Sequence, residues 1–232
     1  MRTILITGAS RGIGRAVALA LAGPGVRLAL AARSVDALAE VCHAAEALGS
    51  QAIRLPGDLT DAPTVERLVA SAADQEGRID ILIHSVGAAL VRPFEQITPE
   101  EWDAALRGQL TSLFLVCRAA SSRMGAGGLI VNVGSVASRQ AFPGWAAYTA
   151  AKHGALGFAA AIREELRPRG IRVTSILPAA TDTTLWDEIP GEWDRHTMLR
   201  PEDVAAAIAA LAAYPPHVAV EELTIGHVVG RL

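Results

Sequence analysis

The strongest constraint on the fold lies close to the start of the chain. An apolar run, Thr3 to Ile6, leads into Thr7-Gly8-Ala9-Ser10-Arg11-Gly12-Ile13-Gly14, and an alanine- and leucine-rich segment, 15 to 22, follows at once. That order predicts a buried strand, a tight glycine turn and a helix. Glycines let the backbone turn sharply and approach a pyrophosphate, whose charge is favoured by the first amides and the positive end of the helix. A glycine pattern alone is weak, but a strand before it and a helix after it supply the context a dinucleotide-binding turn requires. Gly8, Ser10, Arg11, Gly12, Ile13 and Gly14 are therefore read as cofactor-binding positions.

The rest of the chain repeats the alternation. Val26 to Ala32, Gln51 to Leu55, Ile79 to Ser85, Leu129 to Val133, Ile171 to Leu177 and the short Glu222 to Ile225 read as further strands. Ser34 can cap a helix reaching about Leu48, and another helix starts near Asp61-Ala62-Pro63. Thr98-Pro99-Glu100-Glu101 combines a capping box with proline at the first helical position and predicts a long helix to about Met124. Helices are also expected over 145 to 166 and from Arg200-Pro201-Glu202-Asp203 onward. Strands alternating with helices specify an α/β fold of the Rossmann type, a doubly wound parallel sheet in three layers. With 232 residues, 51% of them hydrophobic and 19% charged, and no repeat or linker, a single domain over 1–232 is expected.

In such a sheet ligands bind outside the carboxyl ends of the strands. The second strand ends at Arg33-Ser34, where an NAD site would place an acid on the ribose 2′-hydroxyl. Arg33 and Arg11 suit a 2′-phosphate instead, because guanidinium forks match phosphate oxygens. NADP(H) is the preferred cofactor, with NAD(H) as the alternative. Asp58 and Leu59 end the third strand in the same crevice, where Asp58 either accepts from the adenine amino group or caps the next helix. Gly87 follows the fourth strand, where the chain must leave the sheet past the cofactor. Ser135 ends the fifth, where a hydroxyl could hold a substrate carbonyl oxygen, with Ser138 as its nearby competitor.

Lys152 is the only lysine beside twenty arginines. A lysine is a compact point charge on a slim stem, able to sit beside another ionising group, whereas arginine is a planar fork. On a helix Tyr148 and Lys152 are spaced i, i+4 and share a face. An ammonium there favours the phenolate and would bring Tyr148 toward neutral pH as a general acid/base.

The net charge of -3 and pI near 6.1 offer no general attraction to nucleic acid or acidic membranes, so a small molecule is the expected partner. Cys42 and Cys117 lack metal-ligand spacing, and no metal site is expected. Unpaired, helix-borne cysteines fit a reduced cytoplasmic setting. The N-terminus leaves no room for a signal peptide, and no apolar run is long enough to span a bilayer.

Taken together, Thr7-Gly8-x-x-x-Gly12-x-Gly14, Ser135 and Tyr148-x-x-x-Lys152 resemble the short-chain dehydrogenase/reductase family over nearly the whole chain. The resemblance implies that Tyr148 donates or takes the substrate proton and Ser135 orients the carbonyl. Lys152 would lower the phenol pKa and bond the nicotinamide ribose, and Thr183 would contact the nicotinamide carboxamide. Three positions depart from the family pattern. His84-Ser85-Val86-Gly87 replaces Asn-Asn-Ala-Gly, and a buried structural hydrogen bond is expected for His84. Pro178-Ala179 replaces Pro-Gly. Gln109 aligns with the catalytic asparagine that shapes a helix kink and holds a relay water. Its extra methylene shifts the reach by over an ångström, and errors on that scale cost about a hundredfold in rate.

By the same resemblance 184–200, with Leu185, Trp186, Ile189, Trp193 and Met198, is a lid over the substrate. Together with Phe142 and Trp145 it suggests a pocket for apolar or aromatic ketones or aldehydes. The expected function is NADPH-dependent reduction of a carbonyl, or the reverse alcohol oxidation. The alternative is a cofactor-binding regulator or scaffold with weak catalysis caused by Gln109. The family implies a homodimer or homotetramer built through the helices at about 99–124 and 145–166.

Overall fold

The computed structural model describes residues 1–229. Seven strands, β1 (Arg2–Thr7), β2 (Val26–Ala32), β3 (Gln51–Pro56), β4 (Ile81–His84), β5 (Leu129–Val133), β6 (Arg172–Pro178) and β7 (Glu222–Ile225), form one sheet in the order β3-β2-β1-β4-β5-β6-β7. Every neighbouring pair is parallel. Helices α1 (Gly12–Leu21), α2 (Val35–Ala47) and α3 (Ala62–Ala72) connect the first half. Helices α4 (Pro99–Leu106), α5 (Ser112–Ser121), α6 (Ala146–Leu166) and α7 (Pro201–Ala213) serve the second.

The two-residue period of a strand explains the three layers. Ile4 and Ile6 of β1 point into a core shared with Val17, Leu38 and Ile208, under α1, α2 and α7. Leu5, between them, points to the opposite core with Val65, Val116 and Ala155, under α3, α5 and α6. Both faces of the sheet are covered, so its strands read as near-continuous apolar runs. Among the described residues no helix is long and apolar enough to cross a membrane.

Caps fall where the sequence places them. Ser34 accepts from the Ala37 amide, and Thr98 and Glu101 close a reciprocal capping box. The expected long helix to Met124 is interrupted, however: five residues, Arg107–Thr111, wind as a π-helix between α4 and α5. Here the Ser112 hydroxyl donates to the Gly108 carbonyl at 2.7 Å, and the Gln109 side chain turns inward and donates to the Ala88 carbonyl at 3.1 Å. Insertions of this kind often sit at functional sites because they re-aim one side chain.

His84 braces the switch point between β1 and β4. Its Nδ1 lies 2.9 Å from Thr7 Oγ1 and its Nε2 3.4 Å from Ser112 Oγ. Since the Ser112 proton goes to Gly108, Nε2 donates and Thr7 donates to Nδ1, which assigns a neutral ring. Burial, followed by the charge of Lys152, pushes the His84 pKa down to about 3. Between the unfolded value near 6.5 and about 3, the unfolded chain holds a proton that the folded one lacks, so stability falls as pH falls through that window. Lowering pH from 6.5 to 4 should therefore cost the wild type about 3 kcal/mol through this group. In urea titrations His84→Asn is expected to show a correspondingly flatter pH dependence; parallel curves would remove His84 as the cause.

Candidate active site

A cleft of about 870 Å³ runs along the carboxyl ends of β1 to β5. Its wall brings together Gly8, Ser10, Arg11, Gly12, Ile13, Arg33, Asp58, Leu59, Gly87, Gln109, Tyr148, Lys152 and Thr183, which are far apart in sequence. Gly14 and Ser135 do not line it. Gly14 serves packing: a Cβ there would lie 2.2 Å from the Gly8 carbonyl oxygen. Gly8 has φ +69°, and its own Cβ would lie 2.1 Å from the Ser85 carbonyl oxygen at the exit of β4. Only glycine lets these backbones touch.

At the Arg33 end, Asp58 accepts from the Thr60 amide and hydroxyl at 2.8 and 2.9 Å, bonds that hold its carboxyl below the usual range. Capping of α3 falls to Asp61, which accepts from the Thr64 amide at 3.0 Å. Arg11 is not free: its Nη1 reaches Thr184 Oγ1 at 3.4 Å and Glu188 Oε1 at 3.3 Å. Arg33 is exposed on the cleft wall, and Arg107 lies on the same wall. Sequence reasoning missed Arg107, which opens the π-helix.

At the other end Tyr148 and Lys152 emerge from the first turns of α6, 8% and 5% exposed. Lys152 Nζ donates to the Val133 carbonyl at 3.1 Å and sits 5.6 Å from the centre of the Tyr148 ring. Burial lowers the Lys152 pKa to about 8. Burial also raises the Tyr148 pKa, opposed by the Ser135 hydroxyl. The expectation that the ammonium would depress the phenol is thus corrected: Lys152 is directed at a backbone carbonyl, and removing the phenolate from water dominates. Ser135 lies at the end of β5, where its hydroxyl accepts from the Ala137 amide at 3.1 Å. Its competitor Ser138 is buried and accepts from the Ser135 amide at 3.3 Å, a turn-holding role.

Gln109 is 4% exposed, and its Oε1 is buried without a hydrogen-bond partner. A Cβ on Gly87 would lie 3.7 Å from Lys152 Nζ and 4.0 Å from Gln109 Oε1, so both polar groups converge where Gly87 leaves room. Thr183 packs over Gly12 and accepts from the Leu185 amide at 3.3 Å. Cys42 and Cys117 are buried away from the cleft, and burial raises both thiols, Cys117 to about 12.

The glycine turn, five strand ends, an orphaned amide oxygen and the Tyr148–Lys152 pair suit an extended dinucleotide with a reacting group beside the phenol. Residues 2–192 match the family model for short chain dehydrogenases. The chain belongs to the short-chain dehydrogenase/reductase family and is an NAD(P)-dependent oxidoreductase. It is 36% identical to D-threitol dehydrogenase of Mycolicibacterium smegmatis, with 91% of this chain and 86% of that protein covered. It is 34% identical to 3-oxoacyl-[acyl-carrier-protein] reductase of a Synechocystis species, covering 91% and 89%. An alcohol dehydrogenase from the archaeon Thermococcus sibiricus, solved with 5-hydroxy-NADP, superposes with a TM-score of 0.90 at 29% identity, over 100% of this chain and 99% of that one.

Proposed function

We propose that the protein is an NADPH-dependent reductase of ketones or aldehydes, running in reverse as an alcohol dehydrogenase. The observation that carries this reading is the buried Tyr148 beside Lys152 and Ser135 at one end of a cleft that begins at the glycine turn. Gly8 to Ile13 would hold the pyrophosphate, Asp58 and Leu59 the adenine, and Lys152 and Thr183 the nicotinamide half. The cofactor supplies or accepts the hydride. Tyr148, held protonated by burial, donates its proton to the carbonyl oxygen, and Ser135 orients that oxygen. Lys152 and the free Gln109 oxygen then offer a donor and an acceptor for proton resupply, and segment 184–200 acts as the lid.

A second reading, a cofactor-binding regulator or scaffold, draws on Gln109, whose side chain is one methylene longer than the asparagine of the family pattern. Oxidation of NADPH by a panel of carbonyl compounds, compared with Tyr148→Phe, separates the two. Cofactor binding without Tyr148-dependent oxidation would favour the regulator.

NADP(H) preference rests on Arg33, exposed on the cleft wall with no acid at the end of β2. A charge-assisted bond to phosphate contributes about 1.5–3 kcal/mol. Arg33→Asp is therefore expected to lower kcat/KM for NADPH by about 10- to 100-fold and to raise it for NADH; an unchanged ratio would reassign the preference. Self-association as a homodimer or homotetramer draws on the α5–α6 outer face. There Phe114, 43% exposed, meets Phe158 edge-on at 6.0 Å. A solely monomeric mass in light scattering would exclude it.

A further inference from the structure

Tyr148 and Leu185 line the cleft, and three indoles pack in a row from the phenol outward. Trp145 precedes Tyr148 by one helical turn, and its ring meets the phenol edge-on, with centroids 5.3 Å apart and planes at 73°. Trp186 leans on Trp145 at 6.0 Å, and Trp193 leans on Trp186 at 4.8 Å. The chain of rings is anchored: the Trp186 indole N–H donates to the Thr181 carbonyl at 2.9 Å, and Ile189 and Met198 are buried against it. None of the three tryptophans lines the cleft. Trp186 and Trp193 stack behind Trp145, whose ring meets the reacting phenol.

Two arginines near this end form ion pairs. Arg92 bonds Glu101 at 2.9 Å, while Arg195 bonds Asp182 at 2.6 Å, pairs with Asp187 and donates to the Thr183 carbonyl at 3.1 Å. A bulky carbonyl compound would have to displace Trp145, which abuts the anchored Trp186, so its entry costs several aromatic contacts at once.

We propose that Trp145 sets substrate size, confining the enzyme to small ketones and aldehydes and turning away polycyclic and long-chain ones. The proposal rests on Tyr148 as the proton donor. It implies that truncating this one residue, just beyond the cleft lining, opens space next to the phenol while leaving the glycine turn and the adenine end untouched.

The test compares 2-butanone with the bicyclic ketone 1-tetralone in wild type, Trp145→Ala and Trp145→Phe. Thermal melts and NADPH affinity are recorded for each. The wild type is expected to favour butanone by at least about tenfold in kcat/KM, a margin typical of steric selection in an apolar pocket. Trp145→Ala should reverse that order, chiefly through KM for tetralone, and Trp145→Phe should restore most of it. A wild type that uses tetralone as well as butanone, or a Trp145→Ala protein with an unchanged ratio, overturns the proposal. Binding of the two ketones to NADPH-loaded Tyr148→Phe, with and without Trp145→Ala and followed by tryptophan fluorescence, reads the same size order without turnover. If that order appears and no variant oxidises NADPH, the reductase reading fails while the role of Trp145 stands. Turnover without the size order gives the converse result.

Discussion

Tyr148→Phe is expected to lower NADPH-dependent carbonyl reduction by about 10²- to 10⁴-fold, the range that a positioned general acid supplies. The substitution removes one oxygen from a ring that is 8% exposed and packed edge-on against Trp145, so the fold should persist. NADPH affinity should change by no more than about twofold, because the cofactor would be held chiefly by the glycine turn and the opposite end of the cleft. The direction of the phenol pKa adds a second signature. Burial raises it, so the group remains a protonated donor throughout the neutral range, and the reduction rate should be flat between about pH 6 and 8. Oxidation of the alcohol needs the phenolate, so its rate should climb with pH. Steady-state rates in both directions, with melting temperatures as the folding control, check this. Residual reduction near the wild-type rate would remove Tyr148 from the mechanism.

Lys152 should show activity and stability moving in opposite directions. Its ammonium is 5% exposed and its pKa is pushed down to about 8, against about 10.4 for a free lysine. At pH 7 that difference is a penalty of about 3 kcal/mol on the folded state. Replacing Lys152 with Met removes the penalty but leaves the Val133 carbonyl unpaired, which costs about 1–3 kcal/mol. The expected outcome is a melting temperature equal to or above that of the wild type, with turnover reduced about a hundredfold or more. Between pH 8 and about 10.4 the unfolded chain keeps a proton that the folded wild type has lost, so wild-type stability rises through that window. Any advantage of Lys152→Met should therefore shrink at pH 9.5. Lys152→Arg keeps the charge but brings a planar fork into a site shaped for a slim stem, and it should lose turnover and stability together. Near-normal activity of Lys152→Arg would mean that the lone lysine is incidental.

The sequence expectations missed most where a side chain's environment rather than its type was at issue. Asp58 was open between meeting the adenine and capping α3, and backbone path decided the cap: Asp61 meets the Thr64 amide while Asp58 stays at the end of β3 with Thr60. Arg11 and Arg33 looked like one phosphate-binding pair, yet Arg11 is held by Glu188 from a segment over 170 residues away. The helix beginning at the Thr98 capping box was correct at its start and wrong in its continuity. Its start is local cap chemistry, whereas the π-helix at Arg107–Thr111 accompanies burial of Gln109 against Ala88.

What the sequence determined by itself is the set of features with short-range physical causes. The two-residue and 3.6-residue periods define strands and helices, Gly8 and Gly14 mark the close backbone crossings, and the four-residue step places Tyr148 and Lys152 on one face of α6. Only the tertiary structure decided that both ionisable groups are dry, that Lys152 turns to the Val133 carbonyl, and that Trp145 packs edge-on against the phenol. Those outcomes depend on desolvation and on partners brought together through space, and both exist only once the sheet and its covering helices have assembled.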